Sequence, residues 1–420
     1  MRRLKEAAVL AIICALVIEL TAAAFGWWQS GRIVYFRPAA TPTKTPAVPV
    51  AGGYNFRLHP YFGFAGPYSA RLPSAYYTNS LGFQQREPIS VPFSPEADDF
   101  VVGVFGGSVA EHLVLAPIGG LQLRDALQQT RSLAGKRVVV INLAQGSEKQ
   151  PQQLIELSYL LALGQRFDLV VNVDGFNEFA LGYGNFLYGM HFALPAGQIM
   201  GPLAETASPT EGFGEYQRAT YRLWEAREAL ESYTDRQRAA RSGIEYAYMT
   251  IMMHYYGGMA ARLAGQLSST GLRGPDWERH RYAVGIDIPP GPEENLFESI
   301  FELWLRSSDQ MRALAQANGA AYVHVVQPNQ YFSAHSFSPG ERIVALNLPP
   351  NHPYVVGVMA GYQLVQDRKE ILREHGIKSG IDIFDDLSVP VYSDNCCHYD
   401  KAGETAFAEF VAAIVSQVMK

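Results

Sequence analysis

Cysteine is scarce in this sequence of 420 residues, which contains only three. Cys14 lies in an apolar run near the N-terminus, so Cys396 and Cys397 are the two that could pair outside a membrane. Adjacent cysteines form a strained ring when they are joined, and they are more often free or buried. The sequence is therefore not a disulfide scaffold, and the CxxC spacing typical of metal sites is absent as well.

Charge is also low, because charged residues make up 18% of the chain and the formal net charge is −6. No stretch is rich in lysine and arginine, which argues against nucleic acid as a partner. Hydrophobic residues make up 48%, enough for a large core, and this argues against global disorder. There is no internal repeat. The length allows one large domain with appendages or two modest domains.

The N-terminus combines a short cationic stretch, residues 1–5, with an apolar run over residues 6–28. About 20 apolar residues are enough to span a bilayer, and basic residues favour the cytoplasmic side. The pattern predicts an uncleaved single-pass anchor in the membrane lipid, with the domain on the extracytoplasmic (periplasmic) side. A cleaved signal peptide is the alternative, because Ala22-Ala23-Ala24 resembles a cleavage site.

One carboxylate, Glu19, interrupts this apolar run. A carboxylate in a spanning helix is costly and marks a functional site by default. One interpretation is a protonated side chain or one that reaches the interface. The other is a partner helix that satisfies Glu19, which would make this residue a contact with a membrane protein partner.

Composition divides the rest of the chain into three predicted parts. Residues 29–53 form a Pro- and Thr-rich linker, residues 54–98 an irregular lead-in that packs on the main domain, and residues 99–420 the main domain. A helical insertion interrupts the main domain over about 180–292. It is interpreted either as a helical hairpin packed on the domain edge or as a lid or partner surface.

The main domain contains four short apolar runs rich in β-branched residues, over residues 100–105, 137–141, 167–173 and 321–326. They show no clean alternation, which is typical of strands buried on both faces of a parallel sheet. Helical stretches separate them, and further helices are predicted over 293–318 and 402–419. The pattern predicts an α/β fold in which a parallel sheet lies between two helical layers, a three-layer α/β/α sandwich.

The first of these strands ends in Gly106-Gly107-Ser108, where the serine opens a helix. Glycines allow a tight turn and a close backbone approach. The N-terminus of a helix favours negative charge, so an alkoxide or oxyanion would be stabilised there. The alternative is a serine that only caps the helix.

A carboxylate and a histidine, Asp394 and His398, share one loop before the last helix. Serine needs an adjacent base that a third group orients, so the pair is a candidate acid and base; a structural histidine is the alternative. Two other strand ends offer oxyanion donors, namely Gly146 with Ser147, and Asn177. Because ligands of open α/β sheets bind at the carboxyl ends of the strands, we expect these residues to lie together.

The order of these motifs resembles the SGNH/GDSL hydrolase family, over about residues 100–175 and 385–419. The segments 79–83 (NSLGF) and 327–330 (QPNQ) also resemble bacterial membrane-anchored members of uncharacterised specificity. The resemblance implies an SGNH-hydrolase-like, flavodoxin-like fold with Ser108 as nucleophile and His398 as general base. It also implies oxyanion donors near Gly146 or Ser147, and on Asn177.

The sequence departs from the family pattern at three positions. Gly107 stands where the family usually has aspartate, and Ser147 stands where the family's spacing places a glycine. Asn395, and not an aspartate, stands three residues before His398, whereas Asp394 is four residues before it. Asp394 can orient the ring if the Cys-Cys turn bulges by one residue; a backbone carbonyl is the alternative.

Together these residues predict a serine esterase, or acyl hydrolase, that works through an acyl-enzyme without a metal or an organic cofactor. Its expected substrate is an ester-bearing small molecule, or O-acyl groups of a cell-envelope polysaccharide or lipid. One alternative is an O-acyltransferase that uses the same residues. The other is a non-catalytic subunit of a membrane complex that keeps the fold, which Glu19, the insertion and the altered acid position favour.

Overall fold

The computed structural model describes residues 2–31, 35, 56–66, 76–187, 189–200, 240–269 and 293–419, with scattered residues between 203 and 237. Most of the linker predicted over 29–53 lies outside the described residues, as does much of the first half of the insertion. Two compact units are present. The first unit comprises residues 1–53 and 209–274, and the second unit comprises residues 54–208 and 275–420.

Nine strands are described: β1 (Arg57–His59), β2 (Gly63–Ala65), β3 (Tyr77–Thr78), β4 (Gln84–Gln85), β5 (Asp99–Gly106), β6 (Arg137–Ala144), β7 (Leu169–Asp174), β8 (Ala321–Val326) and β9 (Ile377–Ser379). The described helices are α1 (Arg2–Ser30), α2 (Ser108–Leu115), α3 (Leu123–Gln128), α4 (Gln152–Ala162), α5 (Phe176–Leu187), α6 (Gly243–Ser269), α7 (Leu296–Ala317), α8 (Pro339–Ala345), α9 (Pro353–Asp367), α10 (Lys369–Glu374) and α11 (Lys401–Val418).

The first unit contains α1 and α6, which pack against each other. The Glu19 carboxylate of α1 accepts hydrogen bonds from the backbone N–H groups of Gly243 and Ile244, at the start of α6, and from the Tyr35 hydroxyl. The first N–H groups of a helix have no partner within the helix, and a carboxylate satisfies both them and the helix dipole. The helix that satisfies Glu19 therefore belongs to the same chain.

The apolar run predicted as a transmembrane helix, residues 6–28, lies within α1. Among the described residues, however, no helix is both long and apolar enough to cross a membrane. The predicted transmembrane helix is therefore not supported.

The second unit is built on a parallel sheet of five strands in the order β6–β5–β7–β8–β9. Both β5 and β7 are buried over their whole length, which explains their continuous apolar sequences. This order is that of the flavodoxin-like doubly wound sheets, in which ligands bind where the strand order reverses. Here that switch point lies at the carboxyl ends of β5 and β7.

Helices cover both faces of this sheet. Alternate residues of a strand point to opposite sides, so neighbouring residues of β5 pack against different helices. Val102 and Val104 of β5 pack in a core cluster with α2, α7 and α11, whereas Val101 and Phe105 pack in a second cluster with α4. The predicted α/β class with a parallel sheet is thus confirmed, and the packing is consistent with a three-layer sandwich. The four predicted strands are present as β5, β6, β7 and β8.

The lead-in over 54–98 is more regular than its sequence indicates, because it forms two antiparallel hairpins, β1–β2 and β3–β4. The Gln85 carboxamide exchanges two hydrogen bonds with the backbone of Asn142 in β6, at 2.6 and 3.1 Å. Strands of two or three residues are too short to show alternation, which is why pattern reading misses them. The edge strand β9 was missed for the same reason.

Candidate active site

The nucleophile candidate Ser108 is the first residue of α2, directly after β5. Gly106 has φ +140°, and a Cβ built there would lie 2.0 Å from the carbonyl oxygen of Val173, so only glycine fits. The turn therefore takes the chain straight from the switch point of the sheet into a helix N-terminus. A negative charge that develops at Ser108 would be stabilised by the N–H groups of this first turn.

Gly107 is a second position where a side chain has no room. A Cβ there would lie 2.1 Å from Nδ2 of Asn177, whose carboxamide packs against the backbone beside Ser108. The same Nδ2 donates a hydrogen bond to the Glu148 carbonyl at 2.6 Å, which fixes the amide. In this chain, then, the family's usual aspartate at position 107 would displace Asn177.

The loop after β6 faces the same point. A Cβ built on Gly146 would lie 3.8 Å from the Cβ of Ser108, and the Gly146 N–H donates to the buried Glu111 carboxyl. Ser147 has φ +71°, in the left-handed region that favours glycine. The glycine of the family pattern would fit this backbone without strain. Since Gly146 is engaged, the candidate donor of this loop is Ser147.

Asp394 and His398 are bonded to each other. Oδ2 of Asp394 hydrogen-bonds Nδ1 of His398, while Oδ1 accepts the backbone N–H groups of Cys396, Cys397 and His398 at 2.9, 3.0 and 3.2 Å. The carboxylate thus folds the Cys-Cys turn around itself and reaches the ring from four residues away. Of the two alternatives, it is therefore Asp394, and not a backbone carbonyl, that bonds to Nδ1 of His398.

Asn395, which stands at the family's aspartate position, points elsewhere. Its Nδ2 donates to Oδ1 of Asn347 at 2.6 Å, and its carbonyl accepts the Tyr331 hydroxyl at 2.6 Å. Two more side chains after β8 hold the same loop. Asn329 donates to the Cys396 carbonyl and Gln330 to the Asp394 carbonyl, at 3.0 and 3.1 Å. The segment 327–330 therefore positions the acid–base loop.

The second ring nitrogen of His398, Nε2, is buried and has no hydrogen-bond partner among the described residues. It therefore makes no hydrogen bond with Ser108. The two are nevertheless neighbours, because the His398 ring stacks on that of His112, one helical turn after Ser108, with ring centroids 4.5 Å apart. Catalytic hydrogen bonds are often long or open before substrate binds.

Charge and burial at this edge of the sheet shift several pKa values. Burial works to raise the pKa of Asp394, but the His398 ring and the backbone N–H groups outweigh it and hold this pKa well below its usual range. Burial works to lower the pKa of His398, yet the charges of Cys397 and Asp394 outweigh it and raise this pKa. Burial raises the pKa of Glu111 to about 8 and lowers that of His112 to about 3.

Three residues of the site were missed from the sequence: Glu111, His112 and Glu178. The first two lie three and four residues after Ser108, and helical spacing could have placed them on its face. Glu178 accepts the backbone N–H groups of Gln150 and Gly175 at 2.9 and 2.8 Å, so it ties together the loops after β6 and β7. Burial raises its pKa to about 8. No local pattern predicts that bridge.

A cavity of about 170 Å³ adjoins the site. Its walls come from α5, from residues 196–198 and from the start of α9, and most of them are small or polar: Ala180, Leu181, Gly184, Asn185, Ala196, Gly197, Gln198, His352, Pro353 and Tyr354. Gln198 links the cavity to the donor loop, since its Nε2 donates to the Ser147 hydroxyl at 3.4 Å. The cavity therefore lies on the oxyanion-donor side of Ser108.

Within the part of the chain that the structure describes, one group could hold a metal ion. The ligand atoms of Cys396, Cys397 and His398 all lie within 4.8 Å of one another. In this structure the two sulfurs contact each other and the ring is bonded to Asp394.

Compared with known proteins, the chain matches no family model and no curated protein.

Proposed function

We propose that this chain is a serine hydrolase of the SGNH/GDSL type that cleaves esters through an acyl-enzyme on Ser108. One observation carries the proposal. An aspartate-bound histidine, His398, directs an unpaired Nε2 beside the helix that begins with Ser108, at the switch point of a parallel sheet. A serine nucleophile requires such a base, oriented by a third group.

In the proposed reaction, Nε2 of His398 takes the hydroxyl proton of Ser108 while Oγ attacks the ester carbonyl. Asp394 holds the proton on Nδ1 and stabilises the imidazolium that forms. His398 then returns its proton to the leaving alcohol. A water molecule attacks the acyl-enzyme by the same route, and this releases the acid and restores the serine.

The oxyanion would be held by the backbone N–H groups of Ser108 and Ser147 and by the Asn177 carboxamide. One N–H of the Asn177 Nδ2 group donates to the Glu148 carbonyl, and the second N–H remains for the substrate. Each such donor is worth about 3 kcal/mol of the barrier.

The cavity beside Ser147 fits the acyl group of the ester. The leaving alcohol must lie near His398, which protonates it, whereas the cavity opens on the side of the donors. A cavity of about 170 Å³ is close to the size that holds a benzene molecule, so it has room for an acyl group of up to about six carbons. Short-chain esters, such as O-acetyl groups, are therefore the proposed substrates.

The test is labelling of the purified chain with a fluorophosphonate, which bonds covalently to activated serines. We expect the wild type to be labelled, and Ser108→Ala and His398→Ala to remain unlabelled. Ser308→Ala is the matched control and keeps its label. If the wild type fails to label under conditions where a known serine esterase reacts, the proposal is wrong.

A non-catalytic role is the second candidate, and the missing hydrogen bond between Ser108 and His398 favours it. It predicts no labelling at all. If labelling succeeds, product analysis with an acetyl ester and an excess of a sugar acceptor separates hydrolysis from acyl transfer. Free acetate supports the hydrolase, and acetylated sugar supports the acyltransferase.

A further inference from the structure

Two thiols meet in the loop that carries His398. The Sγ atoms of Cys396 and Cys397 lie 2.9 Å apart, and neither cysteine is in a disulfide. A disulfide bond is about 2.05 Å long, so the sulfurs need to approach by less than about an ångström to bond. Cys14, the remaining cysteine, belongs to the first unit.

The fold holds the two side chains in this arrangement. Oδ1 of Asp394 accepts the N–H groups of both cysteines, and Asn329 donates to the Cys396 carbonyl. The loop therefore presents both sulfurs on one side of a tight turn. Cys397 is 1% exposed, whereas Cys396 is partly exposed, so Cys396 is the cysteine of the pair that lies nearer to solution.

We propose that Cys396 and Cys397 form a reversible dithiol–disulfide pair that a low-molecular-weight disulfide oxidises. The Cys396 thiolate attacks one sulfur of the reagent, whose S–S bond breaks, and one thiolate leaves. Cys397 then attacks the Cys396 sulfur of this mixed disulfide and expels the second thiolate. The two thiol protons go to the two leaving groups, so one disulfide is reduced for each one formed.

The resulting bond is easily reduced again. Consecutive Cα atoms lie about 3.8 Å apart, whereas disulfides usually join Cα atoms at least about 4.4 Å apart. Labile and regulatory disulfides are typically the strained or exposed ones. Closing this ring must shift the backbone whose N–H groups bind Asp394, and thereby disturb His398. This last consequence rests on the proposed function; the disulfide itself does not.

The experiment uses the full chain, purified under reducing conditions and then freed of reductant. One sample is treated with oxidised glutathione and one is not. Both are denatured, alkylated with N-ethylmaleimide and weighed by intact-mass spectrometry. We expect three alkyl groups before treatment. After treatment, Cys396 and Cys397 should carry neither an alkyl group nor glutathione, whereas the exposed Cys14 carries an alkyl group or one glutathione, and dithiothreitol restores three alkyl groups. Peptide mapping distinguishes the pair from Cys14.

Single variants show whether the reaction needs both thiols. Neither Cys396→Ser nor Cys397→Ser should lose two thiols together on oxidation. In Cys397→Ser, the remaining thiol of Cys396 should instead carry a glutathione adduct. Cys14→Ser is the control and should still lose both thiols of the pair. Three thiols that stay reactive, or two glutathione adducts on the wild type, overturn the proposal. Protection by added Zn²⁺ that a chelator reverses, without any oxidation, would also overturn it.

Fluorophosphonate labelling of the same samples measures the coupling to Ser108. We expect the labelling rate to fall on oxidation and to recover with dithiothreitol. If thiol counting shows the disulfide while the labelling rate does not change, the coupling is wrong but the modification site stands. If neither the reduced nor the oxidised protein labels, the hydrolase proposal fails independently of the disulfide.

Discussion

The second unit contains two sets of serine, histidine and aspartate, and they differ in what surrounds them. In the first set, Asp394 binds His398 and leaves Nε2 unpaired beside the helix that begins at Ser108. In the second set, Asp174 binds Nε2 of His324 at 2.6 Å, and Nδ1 of the same ring meets the Ser308 hydroxyl at 2.7 Å. By distance alone, the second set looks more like a catalytic triad.

The second set has no access to substrate. Its serine, histidine and aspartate are each 1% exposed or less, and the Asp174 carboxylate also accepts hydrogen bonds from Trp304 and Asn172, both at 2.7 Å. The Ser308 hydroxyl, both ring nitrogens of His324 and both carboxylate oxygens of Asp174 have partners, so this set stabilises the core between β7, β8 and α7. A site that must act on a substrate has to keep one group unpaired, which His398 does.

The largest expected effect separates the two serines. Ser108→Ala should lower kcat by ~10⁶-fold, because loss of the nucleophile removes the acyl-enzyme route. Ser308→Ala should keep kcat/KM near the wild-type value. Hydrolysis of 4-nitrophenyl acetate measures both. If Ser308→Ala were the inactive variant and Ser108→Ala the active one, the assignment of the two sets would be reversed.

Substitution of Asp394, the acid that orients His398, should give the next largest effect on kcat. Asp394→Asn should lower kcat by ~10⁴-fold through loss of the ring orientation. His398 acts as a base only when neutral, so kcat/KM rises as pH increases through its pKa. Asp394 raises that pKa, so in the variant the rise should occur at lower pH. A pH–rate profile checks this, with Asn395→Ala as a control that should match the wild type.

The two histidine side chains, His324 and His398, should contribute differently to the stability of the protein. His324→Ala removes one of the two partners of the Ser308 hydroxyl, removes one partner of a buried carboxylate and opens a cavity against Trp304. We expect a loss of about 3 kcal/mol in the free energy of unfolding. His398→Ala should lose less, because Asp394 keeps three backbone N–H donors. Urea denaturation measures both, and equal losses would contradict the contrast.

The smallest expected effect concerns the cavity. Gly184 lies within α5 and lines the cavity, and a Cβ added there meets nothing within 4 Å. Gly184→Ala should stabilise the protein by up to about 1 kcal/mol through helix propensity, yet shift the preference toward acetate over butyrate esters. Gly340→Ala, in α8 and equally unobstructed, is the control that leaves the preference unchanged. An unchanged chain-length profile in Gly184→Ala would place the acyl group elsewhere.

The strands of the sheet could be predicted because strands that are buried on both faces have continuous apolar sequences. Runs of that kind correspond to β5, β6, β7 and β8, whereas β9 has three residues and only Ile377 is buried. The transmembrane prediction for residues 6–28 rested on an apolar run that follows a short cationic stretch, and the structure does not support it. The sequence left open which helix satisfies Glu19, since the start of α6 lies more than 220 residues away along the chain.

The sequence by itself determined the α/β class and the strand ends at which Ser108, Ser147 and Asn177 stand, because period, glycines and local motifs are properties of short segments. Only the tertiary structure decided that Asp394 and not Asn395 orients His398, since that depends on how the Cys-Cys turn bends and on which neighbours hold it. It also decided which serine and histidine are buried in a closed network. Ser308 and His324 reach Asp174 only when α7, β8 and β7 pack together, and such packing leaves no local signature.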